Sequence, residues 1–304
     1  MTTPSSVNID PQTAANPVGF KRGLGLFDSI MVVIGIMIGS GIFIIPAEMG
    51  RLIGSPGWML VAWAVSGVLT IIGALIYGEL AAMMPEAGGM YVYLREAFSP
   101  LFGFLYGWTL WTVIQTGTIA AVAIAFARFT GVLFPSIAEN HYLIAPVPVI
   151  GRYSISLSTT QLLAILLIML LTYANSRGLN YGRILQNIFT VAKIGALIAL
   201  ILLGCTIGIH HAAVAENLHH FWSVRHPVPF AAARDASTAA GLFLAICIAQ
   251  TGSLFAADDW HNVAFVAAEV KNPARNLPLA MGIGTAAVIV LYLLANVAYL
   301  LTCR

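Results

Sequence analysis

Three glycines lie within seven residues of one apolar run, at Gly35, Gly39 and Gly41. Each costs roughly 1 kcal/mol relative to alanine inside a helix, so the spacing needs a physical reason. One reason is close packing, because small residues four apart let two helices approach. The other is a break in the helix, whose freed N–H and C=O groups hold a carboxylate and an ammonium group. Pro46, which lacks an N–H, fits a bend just beyond.

A second weak point extends from Gln250 to Trp260, where small and polar residues interrupt another apolar run. A Gly-Ser pair followed shortly by Phe occurs at both points, here at Gly252, Ser253 and Phe255. Two interrupted helices five spans apart suggest an inverted repeat. Discontinuous helices in corresponding positions of two repeats are the best sequence indication of a small-molecule site.

Lys193 lies in the middle of an apolar run, where a charged residue costs about 2.5 to 3.5 kcal/mol on insertion scales. It therefore needs a polar partner or a water-filled cavity. The alternative is a lysine whose long stem reaches the membrane interface.

Composition restricts the elements that position these residues. Of 304 residues, 59% are hydrophobic and 9% charged, which excludes an ordinary soluble enzyme. The net charge of +2 excludes the electrostatic footprint of a nucleic-acid binder. The three cysteines, each inside an apolar run, predict neither a disulfide framework nor a zinc site. We identify no removable signal peptide, so the first helix is expected to stay in the membrane.

About 20 apolar residues are needed to cross a bilayer, and the sequence predicts about seven such spans. The distribution of Lys and Arg favours a cytoplasmic N-terminus and a multi-pass protein of the cell membrane. We predict a cytoplasmic tail at 1–20 and one transmembrane domain at 21–304. The predicted spans are 26–53, 57–84, 101–134, 161–176, 185–209, 238–264 and 278–302.

Three motifs carry a resemblance to a known family. In this order and spacing they resemble the amino acid-polyamine-organocation transporters, and within them the L-type amino acid transporter branch and its bacterial relatives. The resemblance covers residues 22–304. The motifs are Ile38–Phe43, Tyr77–Tyr93 and Glu269–Pro278.

The resemblance implies an all-α integral membrane protein with a LeuT-like inverted-repeat fold, its first repeat complete and its second partial. It implies secondary transport of an amino acid by alternating access. Backbone amides of the first break would hold the carboxylate, and the carbonyls of Met37 and Phe255 the amino group, with the Phe255 ring as a gate. The implied substrate-binding residues are Met37, Gly39, Ser40, Gly41, Phe255, Ala256 and Asp258.

In the L-type branch, a lysine matching Lys193 stands where sodium-coupled relatives bind a cation. We therefore expect sodium-independent uniport or exchange. No catalytic residue, cofactor or metal is expected. The expected partners are an amino acid and the lipid bilayer, without nucleic acid, and a partner subunit stays an open question.

Two features depart from the family pattern. Asp259 replaces a glycine, which costs free energy if the backbone needs a positive φ, and an added carboxylate could favour a cationic substrate. The family normally has roughly twelve spans, whereas this chain carries about seven. Two alternatives stay open: a transporting protein, or a permease fragment that only resides in the membrane.

The sequence gives little support to other classes of function. The histidines between His210 and His226 match no defined zinc spacing. An intramembrane hydrolase would use Asp258, Asp259 and His261, but adjacent residues on a helix point about 100° apart. A channel lacks support, because the sequence shows no ring-forming filter signature.

Overall fold

The computed structural model describes residues 22–150, 153–177, 179–224 and 238–303. The predicted tail 1–20 and the part of the His-rich loop at 225–237 lie outside these residues. The chain divides into two compact units. One is Tyr93–Ile184, and the other joins Met1–Val92 to Leu185–Arg304.

The described residues are mostly helical. The α-helices are α1 Leu26–Met37, α2 Gly41–Ile53, α3 Pro56–Met83, α4 Met90–Ala97, α5 Pro100–Thr109, α6 Thr116–Leu133, α7 Thr159–Ser176, α8 Leu179–Cys205, α9 His211–His219, α10 Ala239–Ala256 and α11 Pro273–Thr302. The other elements are a π-helical stretch at Leu110–Gln115, a 3₁₀ helix at Trp260–Glu269, and two strands, β1 Tyr142–Ile150 and β2 Tyr153–Ser158.

Within the described residues, six helical stretches are long and apolar enough to cross a membrane. The pair α1 and α2, bent by 44° at a short break, makes a seventh span when taken together. The prediction of an all-α integral membrane protein is therefore confirmed. The inverted repeat and its extent stay predictions.

Local sequence signals explain where several helices begin. Pro56, Pro100 and Pro273 lie in the first turn of α3, α5 and α11, where the missing N–H has no intrahelical partner to lose. Ser158 caps α7 through a reciprocal pair of bonds. The Gln161 N–H donates to Ser158 Oγ at 3.2 Å, and the Ser158 N–H donates to Gln161 Oε1 at 2.8 Å.

No span was predicted between 101–134 and 161–176, and the structure forms an antiparallel hairpin of β1 and β2 there. The run is rich in Val, Ile and Tyr, which favour strands. Pro146 and Pro148 are tolerated because each strand of a two-stranded sheet has a free edge.

The unit that carries both weak points is organised around α11, which packs against α3 and α1. Small residues permit the close approach. A Cβ added at Gly78 would lie 2.9 Å from Pro278 Cα, and one added at Gly284 would lie 2.8 Å from the Val33 side chain. Van der Waals packing of this kind drives helix association in membranes.

Candidate functional site

The first break separates α1, which ends at Met37, from α2, which begins at Gly41. Ile38 leaves the helical conformation with φ −74° and ψ 98°, and Gly39 and Ser40 are exposed. The N–H groups at the start of α2 have no acceptor inside the helix, so they form the positive end of its dipole. Such an end favours a carboxylate.

The structure separates the two interpretations of the glycines. A Cβ at Gly35 would collide with Thr190 and Gln186 of α8, so Gly35 is a packing glycine. A Cβ added at Gly39 would meet no atom within 4 Å, and Gly39 lies in the break. Close packing and interruption therefore both occur, at different residues.

The second break is narrower than the predicted weak point. α10 continues through Gln250 and Ser253 to Ala256, and the chain leaves the helix only between Ala257 and the start of the 3₁₀ helix. The polar side chains of Gln250 and Ser253 instead hydrogen-bond Ser66 of α3, with 2.5 Å between the two serine hydroxyls. Hydrogen bonding to a neighbouring helix satisfies them without unwinding α10.

Asp259, at the second break, has a left-handed backbone with φ 71° and ψ 0°. This conformation is the one for which glycine is best suited. Its carboxylate accepts a hydrogen bond from Asn262 Nδ2 at 3.0 Å. The Asp258 side chain is 55% exposed, and its Oδ1 lies 3.8 Å from His261 Nδ1.

The two breaks meet where α2 packs against α10. A Cβ added at Gly41 would lie 2.8 Å from the Cβ of Ala256 and 3.0 Å from its Cα. The amide end of α2 and the carbonyl end of α10 are therefore adjacent. This contact brings together predicted site residues that lie more than two hundred positions apart in the sequence.

The Phe255 side chain, predicted as a gate, is 77% exposed. Its carbonyl oxygen already accepts a hydrogen bond from the Asp258 N–H at 3.4 Å. A carbonyl oxygen has two lone pairs, so the oxygen retains the capacity to accept a second donor.

Tyr292 of α11 links the two breaks, and the sequence analysis missed it. Its buried hydroxyl lies 2.9 Å from Met37 O and 3.1 Å from Ala256 O, so one hydrogen is shared between the ends of α1 and α10. Its ring packs edge-on against Trp63, with 5.8 Å between centroids. The available signal was a tyrosine deep in an apolar run, which needs a partner for its hydroxyl.

Lys193 of α8 lies beside the C-terminal end of α1. Its Nζ donates to Gly35 O at 3.0 Å. The last carbonyls of a helix lack intrahelical donors. Here Lys193 donates a hydrogen bond to the Gly35 carbonyl, and Tyr292 donates one to the Met37 carbonyl. A cation near a helix C-terminus is also favoured by the helix dipole.

Other polar residues take local roles. Arg128 forms an ion pair with Glu139. The rings of His219 and His220 are in contact, with 4.5 Å between their centroids. In the part of the chain that the structure describes, no three His, Cys, Asp or Glu residues are grouped so as to hold a metal ion.

Comparison with known proteins identifies the family. The family profile described as "Amino acid permease" matches residues 24–303, which is nearly the whole chain. The chain belongs to the amino acid permease family. The resemblance carried by the three motifs is thereby confirmed, and the family and its curated members are transporters rather than enzymes.

Curated relatives are about 30% identical to this chain. The b(0,+)-type amino acid transporter 1 of Mus musculus is 31% identical over 287 residues, which cover 94% of this chain and 53% of that protein. The human protein of the same name is 30% identical over 95% of this chain and 52% of its own length. Large neutral amino acids transporter small subunit 2 of Rattus norvegicus is 31% identical over 97% and 50%. The chain spans about half the length of the curated relatives it matches.

Proposed function

We propose that this permease carries amino acids across the cell membrane by alternating access, as a sodium-independent uniporter or exchanger. The observation that supports it best is the contact between the two breaks at Gly41 and Ala256. This contact brings the amide end of one helix close to helix ends whose carbonyl oxygens can each accept a further donor. An α-amino acid has complementary groups, a carboxylate and an ammonium, on one carbon atom.

In the proposed complex, the carboxylate accepts hydrogen bonds from the amides of Gly39, Ser40 and Gly41. The ammonium group donates to the carbonyls of Met37 and Phe255. These assignments follow the physics of half-helix ends, which favour negative charge at the N-terminus and positive charge at the C-terminus. Ala256 and Asp258 complete the proposed site.

The proposed substrates include cationic amino acids. Asp258 is exposed beside the second break, whereas the Asp259 carboxylate is engaged by Asn262. A carboxylate near the site attracts a second positive group on the substrate. The name of the relatives matched at 31% identity, b(0,+)-type amino acid transporter, agrees with an amino acid substrate.

Sodium independence is proposed from Lys193. Its ammonium group lies 3.0 Å from Gly35 O, two residues before the end of α1, and supplies a fixed positive charge there. A bound cation would be coordinated by the same carbonyl oxygens, which lack donors within the helix. We also propose that the N-terminus is cytoplasmic and that residues 21–304 act as one transmembrane domain.

Counterflow of labelled amino acids into proteoliposomes tests the proposal, with and without sodium. The test compares the wild type with Lys193→Ala and with the matched control Lys271→Ala, which removes an exposed lysine outside the site. We expect saturable uptake that is insensitive to sodium, lost in Lys193→Ala and retained in Lys271→Ala. Sodium-stimulated uptake by the wild type contradicts the role of Lys193.

The second candidate is a permease fragment that resides in the membrane without transport. The half-length match to the relatives is the observation that favours it. No counterflow by a chain shown to be folded and inserted would support this candidate and refute transport by these residues alone.

A further inference from the structure

α1 and α8 meet through polar side chains held in register. Each of three side chains on α8 donates to an oxygen on α1, and the set is named the polar seam. Its bonds run from Asn187 Nδ2 to Asp28 Oδ1 (3.3 Å), from Thr190 Oγ1 to Met31 O (3.3 Å) and from Lys193 Nζ to Gly35 O (3.0 Å).

The spacing of the polar seam matches one face of each helix. The donors on α8 are three residues apart, and the acceptors on α1 are three and four residues apart. Residues at these intervals lie above one another on a helix. Because both series ascend along the chain, the two helices run parallel and their register is fixed at three levels.

Steric contact reinforces the middle of the polar seam. Thr190 is buried, with 1% of its surface exposed, and lies where a Cβ at Gly35 would be. Gly35 therefore allows Thr190 to reach the α1 backbone. Any larger residue at that position would push α1 away from α8.

The opposite side of α1 is attached in a different way. Val33 packs closely on Gly284 of α11. The segment before α1 is tied to the residues after the 3₁₀ helix by backbone bonds. They run from the Gly23 N–H to Glu269 O (2.9 Å), from the Leu24 N–H to Glu269 O (3.0 Å) and from the Lys271 N–H to Leu24 O (2.8 Å).

α1 is thus held by interdigitated packing and backbone bonds on one side and by side-chain hydrogen bonds on the other. Individual interhelical hydrogen bonds in membranes are weak and exchange partners readily. If α1 moves about the break at its end, the side facing α8 is the one that separates.

We propose that Asn187 and Thr190 are positioning residues that, together with Lys193, hold α1 in register against α8. The proposal rests on the proposed transport function. Alternating access opens the polar seam, while α1 stays attached to α11 and the 3₁₀ helix. Asn187 and Thr190 do not touch the substrate and act through the position of α1.

Spin labels and pulsed electron paramagnetic resonance test the proposal in the full chain, after its natural cysteines are replaced by alanine. One label pair, at Phe27→Cys and Ile188→Cys, spans α1 and α8 at exposed positions. The other, at Phe27→Cys and Ile283→Cys, spans α1 and α11. We expect two distances for the first pair, whose ratio shifts when amino acid is added, and one unchanged distance for the second.

Variants then separate positioning from simple folding. Two populations are compared, one in which α1 and α8 are separated and one in which they are in contact. Thr190→Val and Gly35→Ala are each expected to raise the ratio of separated to contacting molecules about threefold, which corresponds to the free energy of one interhelical hydrogen bond. Thr190→Ser restores the hydroxyl and the wild-type ratio. The controls are Thr206→Val, which removes a hydroxyl that donates to Leu202 O in its own segment, and Gly195→Ala, whose added Cβ would meet no atom within 4 Å. In transport, Thr190→Val should change the maximal rate more than the apparent KM.

The outcomes distinguish this proposal from the proposed function. Shifted ratios in a chain that does not transport support the polar seam and refute the proposed function. Ratios that stay unchanged in Thr190→Val and Gly35→Ala, with transport intact, refute the polar seam alone. Separation of α1 from α11 as well as from α8 also overturns it, because α1 would then move by itself.

Discussion

Removing the hydroxyl of Tyr292 should weaken the junction of the two broken helices without disturbing the packing of the ring. Tyr292→Phe keeps the edge-on contact with Trp63 and deletes the one hydrogen shared by Met37 O and Ala256 O. The perturbation therefore removes only the hydroxyl and the hydrogen bonds that it makes at the proposed site.

The magnitude follows from the burial of the two acceptors. Met37 is 3% exposed and Ala256 6%, so water cannot readily replace the lost donor. An interhelical hydrogen bond in a membrane is worth about 0.6 kcal/mol on average and at most about 1.7. Leaving a buried acceptor unpaired costs about 1 to 3 kcal/mol. We expect a loss of about 1.5 kcal/mol in the free energy of unfolding.

Equilibrium unfolding in detergent measures this loss, together with amino acid binding. The matched control is Tyr299→Phe, which removes a hydroxyl from a partly exposed tyrosine two turns further along α11. Tyr292→Phe should be destabilised and bind amino acid more weakly, while Tyr299→Phe resembles the wild type. Equal free energies of unfolding in the two variants would refute the bridging role of Tyr292.

Three further predictions concern the two breaks. Asp259→Ala should unfold about 1 to 2 kcal/mol more easily than Asp259→Gly in a denaturant titration, because φ at this residue is 71°; equal stabilities would contradict the strain. Asp258→Asn should lower binding of arginine relative to leucine in competition assays, because it removes the available carboxylate; an unchanged ratio argues against cationic selection by Asp258. Gly41→Val should abolish amino acid binding measured by equilibrium dialysis, because its Cβ would lie 2.8 Å from the Cβ of Ala256, whereas Gly195→Ala should bind normally. Binding that is retained in Gly41→Val would show that the site does not depend on this contact.

The first break was predictable because the local sequence has several glycines in one apolar run. Glycines inside an apolar run cost free energy, so their presence indicates a constraint whatever the partner. The sequence did not reveal that Gly35 packs on Thr190 while Gly39 lies in the break, since both glycines have the same chemistry and only the neighbouring helix distinguishes them.

The second break was predicted too broadly for a related reason. Gln250 and Ser253 are polar residues in an apolar helix, and polarity alone does not distinguish an unwound segment from a helix bonded to its neighbour. Ser66, nearly two hundred positions earlier, decides the case. Tyr292 was missed in the same way, because the carbonyls that it serves belong to two other helices.

The hairpin was not predicted, because it contains two prolines, which are disfavoured in strands. Two-stranded pairing leaves free edges that accept proline, and this depends on the number of strands rather than on local composition. The positive φ of Asp259 was anticipated as a condition, since the family places glycine there, and the structure shows that the condition is met.

Protection of a cysteine in the first break tests the central claim, that an amino acid binds where the two breaks meet. Ser40 is exposed and contributes its backbone N–H, which Ser40→Cys retains. The variant is made in a background whose natural cysteines are alanine, and the rate of thiol modification is measured. We expect that an amino acid slows modification, and that an amine or a carboxylic acid with the same side chain does not. Modification at the same rate with and without every amino acid, in a chain shown to be folded, would contradict it.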